Sequence, residues 1–164
     1  NKAIVLRWFA ETDRGNLAII DELLSVDYVD HNPPLPGLPA GREGVRQSVL
    51  MLSAAFPDAV HVIDEQTAEG DKVMTRLHVR ATFQGEILGF QPTGAVVEVS
   101  GVAVHRIAGG KLVEHWAQMD MAGFVRQLEP IAEPAHPVYI LDSPSWPKRN
   151  DETSVSSDGS DLPR

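Results

Sequence analysis

Gly109-Gly110-Lys111-Leu112-Val113-Glu114-His115-Trp116-Ala117-Gln118-Met119-Asp120 is the stretch that decides the fold of this chain. Two glycines before a lysine form a hairpin turn, and the residues after them carry the mixed apolar and polar pattern of a strand. Asp120 then opens a short apolar helix, Met121 to Leu128. On a strand of period two, Trp116, Gln118 and Asp120 share one face, so an indole, an amide and a carboxylate project together. That face is the expected wall of a small-molecule pocket.

Upstream of this turn the same period continues. Residues 96 to 107 form a long strand, joined to the first through Ala108-Gly109-Gly110-Lys111. Before it, Val60, Val62 and Ile63 lead through the turn Glu69-Gly70-Asp71-Lys72 into Val73, Thr75, Leu77, Val79, Ala81 and Phe83, which alternate with Met74, Arg76, His78, Arg80 and Thr82. Four long strands joined by hairpins make an antiparallel sheet, which buries one face against helices. The helices come first in the chain. Residues 3 to 13 place Ile4, Val5, Leu6, Trp8 and Phe9 on a broad apolar face that Gly15 ends, and Asn16 can cap a second short helix bearing Leu17, Ile19, Ile20, Leu23 and Leu24. Residues 42 to 56 return to helical spacing with Val45, Val49, Leu52 and Phe56 on one stripe. Between them, Tyr28 to Pro39 holds four prolines and reads as a stiff loop. Helices followed by a meandering sheet define an α+β domain with the helices on one side of a curved sheet.

At 164 residues and 43% hydrophobic content the chain suits one globular domain. Beyond Pro130 the composition shifts. Six of the twelve prolines lie in residues 130 to 164, the end is polar, and only Val138 to Leu141 is apolar, so residues 1–129 read as the domain and 130–164 as a tail. The net charge of −9 argues against nucleic-acid and anionic-membrane surfaces, which would repel it. No apolar run approaches the roughly 20 residues of a membrane span, and charge interrupts the first residues too early for a signal peptide. Without cysteine there is no disulfide framework, thiol nucleophile or zinc-thiolate site, as suits a cytoplasmic protein. The remaining class of partner is a small, uncharged molecule.

Asp120 has two readings. It is a helix N-cap, worth about 1 kcal/mol, or it is an acid–base carboxylate beside the apolar wall of Trp116. His105, in Val102-Ala103-Val104-His105-Arg106-Ile107, lies on the neighbouring strand, as a structural residue or as a hydrogen-bond partner across from the Asp120 strand. His31 and Asn32 offer a donor and an acceptor from the proline-braced loop, or a turn into Pro33. His78 shares a face with Arg76 and Arg80, which favours an ion-paired face over a pocket lining. Phe56, on the core stripe of its helix, joins His31, Asn32, His78, Trp116 and Gln118 as the substrate-binding candidates. The six histidines show no metal-ligand spacing, and neither GxGxxG, GxxxxGK[ST] nor GxSxG occurs. The expected site uses no metal and no cofactor.

The order of these segments resembles the SnoaL-like polyketide cyclases of the NTF2-like superfamily. The resemblance rests on Tyr28-Val29-Asp30-His31-Asn32-Pro33, Ala54-Ala55-Phe56-Pro57-Asp58, Glu69-Gly70-Asp71-Lys72-Val73, Gly85 to Gly94, and Gly110 to Trp116 with Asp120. It implies a cone-shaped, curved antiparallel sheet with N-terminal helices on one face, enclosing a cavity, and a homodimer through the outer sheet face. It further implies a polyketide-like or other small apolar substrate, with Asp120 as the acid and base of an intramolecular aldol closure or isomerisation and His105 assisting. Two positions depart from the pattern. Ala103 stands where such a cyclase is expected to carry a second polar residue, and Phe83 where many relatives have a histidine. Other superfamily members imply two alternatives: a binding module without catalysis, and an epoxide-hydrolase-like enzyme, for which Asp120 alone supplies too few groups.

Overall fold

The structure, a computed structural model, describes residues 1–130. Helix α1 (Lys2–Asp13) and the short α2 (Ala18–Leu23) lead into strand β1 (Leu24–Asp30). Helix α3 (Gly41–Ala55) follows the proline loop, then β2 (Val60–Glu69), β3 (Lys72–Thr82), β4 (Val96–Ala108), β5 (Lys111–Met119) and α4 (Met121–Leu128). The fold is α+β, a curved five-stranded sheet with helices against it. None of these helices is long and apolar enough to cross a membrane. The apolar tetrad Val138 to Leu141 and the expected tail lie outside the described residues.

The sheet order is β1-β5-β4-β3-β2. The three pairs among β2, β3, β4 and β5 are antiparallel; Gly70 turns β2 into β3, Gly109 and Gly110 turn β4 into β5, all with positive φ, and the longer loop 83–95 joins β3 to β4. The fifth strand departs from the sequence reading. Leu24 to Asp30, read as the end of a helix and the start of a loop, is a strand parallel to β5, pairing Leu24 with Leu112 and Asp30 with His115. Its buried residues are Leu24 and Tyr28, whereas Val26 between them is exposed, so no clean period marks it. Its partner is also too remote to be seen locally. Arg42 of α3 covers part of its backbone, donating from Nε to the Ser25 carbonyl at 3.0 Å and from Nη2 to that of Leu24.

The core has two parts. Val5 and Phe9 of α1 and Ile19, Ile20 and Leu23 of α2 pack with Leu24, Tyr28, Val73, Leu77, Ala103, Ile107 and Leu112. A second cluster joins Leu35 of the proline loop to Phe56, Phe83, Ile87 and Val97, closed by Phe124 and Leu128 of α4. On α3 the most buried positions are Gly44, Ser48 and Ala55, a face of small residues beside the expected Val45, Val49 and Leu52 stripe. Gly44 makes the approach possible, since a Cβ there would lie 1.8 Å from the Pro39 carbonyl oxygen.

Candidate active site on the inner face of the sheet

The alternation of burial identifies the inner face. On β4 it carries Val97, Ala103, His105 and Ile107, and on β3 Val73, Thr75, Leu77 and Ala81. Pairing extends these rungs onto β5: Val73–His105–His115, Thr75–Ala103–Ala117 and Leu77–Gly101–Met119. Trp116 pairs with Val104 and Gln118 with Val102, so both project from the outer face. The expected common wall of Trp116, Gln118 and Asp120 is therefore not formed against the core. The cause is one residue. Arg106 pairs with Glu114 but Ile107 with Leu112, leaving Val113 as a bulge that reverses the parity set by the buried Leu112.

His105 is 1% exposed and sits among apolar groups, edge-on to Phe9 at 5.6 Å between ring centroids. Its Nδ1 is buried without a hydrogen-bond partner. Burial, with smaller contributions from His115 and His61, lowers its pKa to about 3, so the ring is neutral at physiological pH. His115 faces it across the ladder at 4.7 Å and 32°. His115 Nδ1 in turn pairs with Asp30 Oδ1 at 3.1 Å, both side chains being largely buried. Asp30 ends β1, where the His31 amide donates to the His115 carbonyl at 2.9 Å. The Asn32 amide also donates to Asp30 Oδ1, at 3.0 Å, forming an Asx turn that holds the carboxylate. Tyr28, two residues back on the same strand, is buried, and its hydroxyl is pushed up in pKa by that burial and then by Asp30. On the other side of Phe9, the His61 ring lies at 4.8 Å and pairs with Asp13 at 2.5 Å.

The other candidates fall elsewhere. Asp120 is exposed and caps α4, its Oδ1 accepting from the Gly123 amide at 2.8 Å. Its own amide donates to the Ser100 carbonyl, five positions along β4 from His105, or about 17 Å at 3.3 Å per residue. The structure does not bring Asp120 and His105 together, because the residue opposite His105 is His115. His31 stacks on Trp116 at 4.5 Å and 4°, with its Nε2 3.0 Å from Glu114 Oε2. The His31 hydrogen bond and then Arg106 hold the Glu114 carboxyl below the usual range. Asn32 Oδ1 accepts from the Ala117 amide at 3.3 Å, which ties the proline loop to β5. Phe56 is core, against Phe83 and Phe124. His78 pairs with Asp64 at 3.2 Å, on the outer, ion-paired side. An open hollow of about 410 Å³ lies along Val60, Val62, Arg80, Thr82 and Val96; it adjoins His78, the ladder partner of Val62, but none of the candidates lines it.

Sequence reading named His105 but missed Asp30, His115, Tyr28 and His61. Asp30 and His115 stand in two of the quoted motifs, yet their proximity depends on a parallel pairing across 85 residues. Among the described residues no group of three or more such side chains converges as metal ligands would. What the inner face offers is proton chemistry: a neutral imidazole in a dry setting beside a second imidazole oriented by a carboxylate.

The comparisons with known proteins agree with this architecture. The chain is similar to IdmH from Streptomyces antibioticus, a candidate polyketide cyclase, at 30% identity over 77% of this chain and 96% of that one, with a TM-score of 0.68. A candidate polyketide cyclase from Acidithiobacillus ferrooxidans matches at 31% identity over 77% and 92%, with a TM-score of 0.68. AclR, a candidate hydroxylase from Streptomyces galilaeus, matches at 34% identity over 77% and 93%, with a TM-score of 0.67. No curated protein matches the chain. The pattern of the SnoaL-like polyketide cyclases covers residues 3–128, nearly the whole of the described fold, and the chain belongs to that family.

Proposed function

We propose that this protein is a cofactor-independent enzyme that closes or isomerises a small apolar, polyketide-like substrate by acid–base catalysis. Family membership supports the substrate class. The observation that carries the catalytic reading is His105, buried on the inner face, neutral and with an Nδ1 that no protein group satisfies. A polar atom left in this state is costly in a core that serves packing alone. Asp120 stands where β5 gives way to α4, and its second oxygen accepts no hydrogen bond from the described residues. In this reading Asp120 is the acid–base group and His105 a neutral partner for a substrate oxygen. The test is a panel of linear polyketone substrates analysed for cyclised product. Asp120→Asn should fold and lose turnover, and a mutant as active as the wild type removes Asp120 from the chemistry.

One observation favours a second reading, a binding module without catalysis. The Asp120 carboxylate already has work as a helix cap. Stoichiometric binding of the same compounds with no product over long incubation would select this reading. An epoxide-opening enzyme would instead show diol products.

The assembly we propose is a homodimer through the outer sheet face, where Val60, Val62, Met74 and Val96 are all exposed. Sedimentation analysis measures it directly.

A further inference from the structure

Asp30 Oδ1 receives two groups, the Asn32 amide at 3.0 Å and His115 Nδ1 at 3.1 Å. A carboxylate can only accept, so this pairing places the imidazole proton on Nδ1 and leaves the lone pair on Nε2. Among the described residues His115 Nε2 has no hydrogen-bond partner, and the side chain is still 17% exposed, unlike that of His105. The ring therefore combines an oriented tautomer, a nitrogen lone pair that no described protein group uses and a carboxylate behind it. A purely structural purpose explains less. The backbone already joins β1 to β5 through the His31 amide and the His115 carbonyl. An apolar pair would fill the same space without the desolvation of a histidine and an aspartate next to a second, unsatisfied histidine.

We infer that His115, positioned by Asp30, is the base that removes a carbon-bound proton from substrate on the inner face, with His105 beside it as the hydrogen-bond partner of the resulting enolate. This rests on the acid–base reading above but assigns the proton to a different group from Asp120. The step balances without a co-reactant. Nε2 takes the proton from a carbon flanked by carbonyls, and the C–H electron pair becomes the enolate. The enolate carbon then bonds to a second carbonyl carbon of the same molecule, whose π pair becomes an alkoxide. That alkoxide recovers the proton from Nε2, so the ring ends neutral. The imidazolium formed in between faces the Asp30 carboxylate, and the enolate oxygen can accept from His105 in the tautomer that carries its proton on Nδ1.

The experiment uses the full chain with 1-phenylbutane-1,3-dione in D2O, following deuterium incorporation at C2 by NMR against buffer alone. Wild type should exceed the buffer rate, and His115→Gln should lose about 100-fold of the enzymatic part or more, the range expected of a general base. Asp30→Asn should lose less and move the acidic limb of the pH–rate profile downwards, since the imidazolium loses its countercharge; a packing role would not move that limb. Should His115→Gln fail to fold, the Asp30→Asn profile decides the matter alone, and an unmoved limb overturns the inference. Full activity in folded His115→Gln with none in Asp120→Asn overturns it while the Asp120 reading survives. The reverse pattern supports it and removes Asp120. No acceleration by wild type over buffer overturns both.

Discussion

His105 and Asp120 are five rungs apart on the β4–β5 ladder: His105 is opposed by His115, while the Asp120 amide meets the Ser100 carbonyl at the other end. No side-chain motion closes about 17 Å of strand. Variants at the two positions should therefore act on stability independently. The double variant His105→Phe/Asp120→Asn is expected to show the sum of the single effects within about 0.5 kcal/mol in urea unfolding.

The cap and the proposed chemistry of Asp120 separate cleanly. Asparagine caps a helix as well as aspartate does, whereas alanine forfeits about 1 kcal/mol. Asp120→Asn should unfold at nearly the wild-type urea midpoint, and Asp120→Ala at a lower one. Loss of turnover in both variants, with stability lost in one only, would mark the carboxylate itself as the functional element.

Gly123→Ala should behave abnormally for a helical glycine. In an exposed helix this change gains about 1 kcal/mol. Here a Cβ would lie 2.1 Å from Asp120 Oδ2, so the carboxylate must leave its place above the first turn. Losing the cap offsets the propensity gain, and the variant should be no more stable than wild type. A rise of the full 1 kcal/mol in urea unfolding would show that the cap contributes nothing.

Much of this was readable from the residues. Helices α1, α3 and α4 and the three hairpin-related pairs follow from period, turn glycines and prolines, all of which act within a few residues. What was not legible depended on remote pairing or on a single inserted residue. Strand β1 looks local only as Leu24 and Tyr28, with an exposed Val26 between them, and its pairing to β5 carries no local signal. The bulge at Val113 inverts the face of every later β5 residue, which is why a tryptophan projects outward and a histidine inward, against hydrophobicity. His105 was found because it stands in a valine-rich strand. Asp30 and His115 were not, since each by itself resembles an ordinary polar strand residue.

Acid should destabilise the protein through His105. Its folded pKa of about 3 lies below the usual 6.5 of the unfolded chain. Above pH 6.5 the ring is neutral in both states and proton binding costs folding nothing; between 6.5 and 3 the unfolded state alone takes the proton. Stability is lost across that window at up to about 1.4 kcal/mol per pH unit. His105→Phe should flatten the dependence of the urea midpoint on pH between 6.5 and 5. An unchanged slope would place the acid sensitivity in other groups.

On the outer face, Val62→Lys should leave the fold intact, because the side chain is exposed in the single chain. If two copies meet on this face, lysine brings a desolvated charge to the contact and its symmetry mate. The sedimentation coefficient should fall to that of the monomer. A variant that sediments like wild type moves the interface elsewhere.

The parallel pairing of β1 with β5 also governs how the protein can be made. Asp30 meets its partner 85 residues later in the chain, on the last strand of the sheet. Until the ribosome has delivered Lys111 to Met119, β1 has no ladder to join, and Leu24 and Tyr28 lack the Leu112 rung they pack beside. A nascent or truncated chain ending before Lys111 holds β2, β3 and β4 and also Asp30, but not its partner His115. The sheet and the Asp30–His115 pair are completed together by the final strand, and every shorter product is exposed to chaperones and proteases as an incomplete sheet.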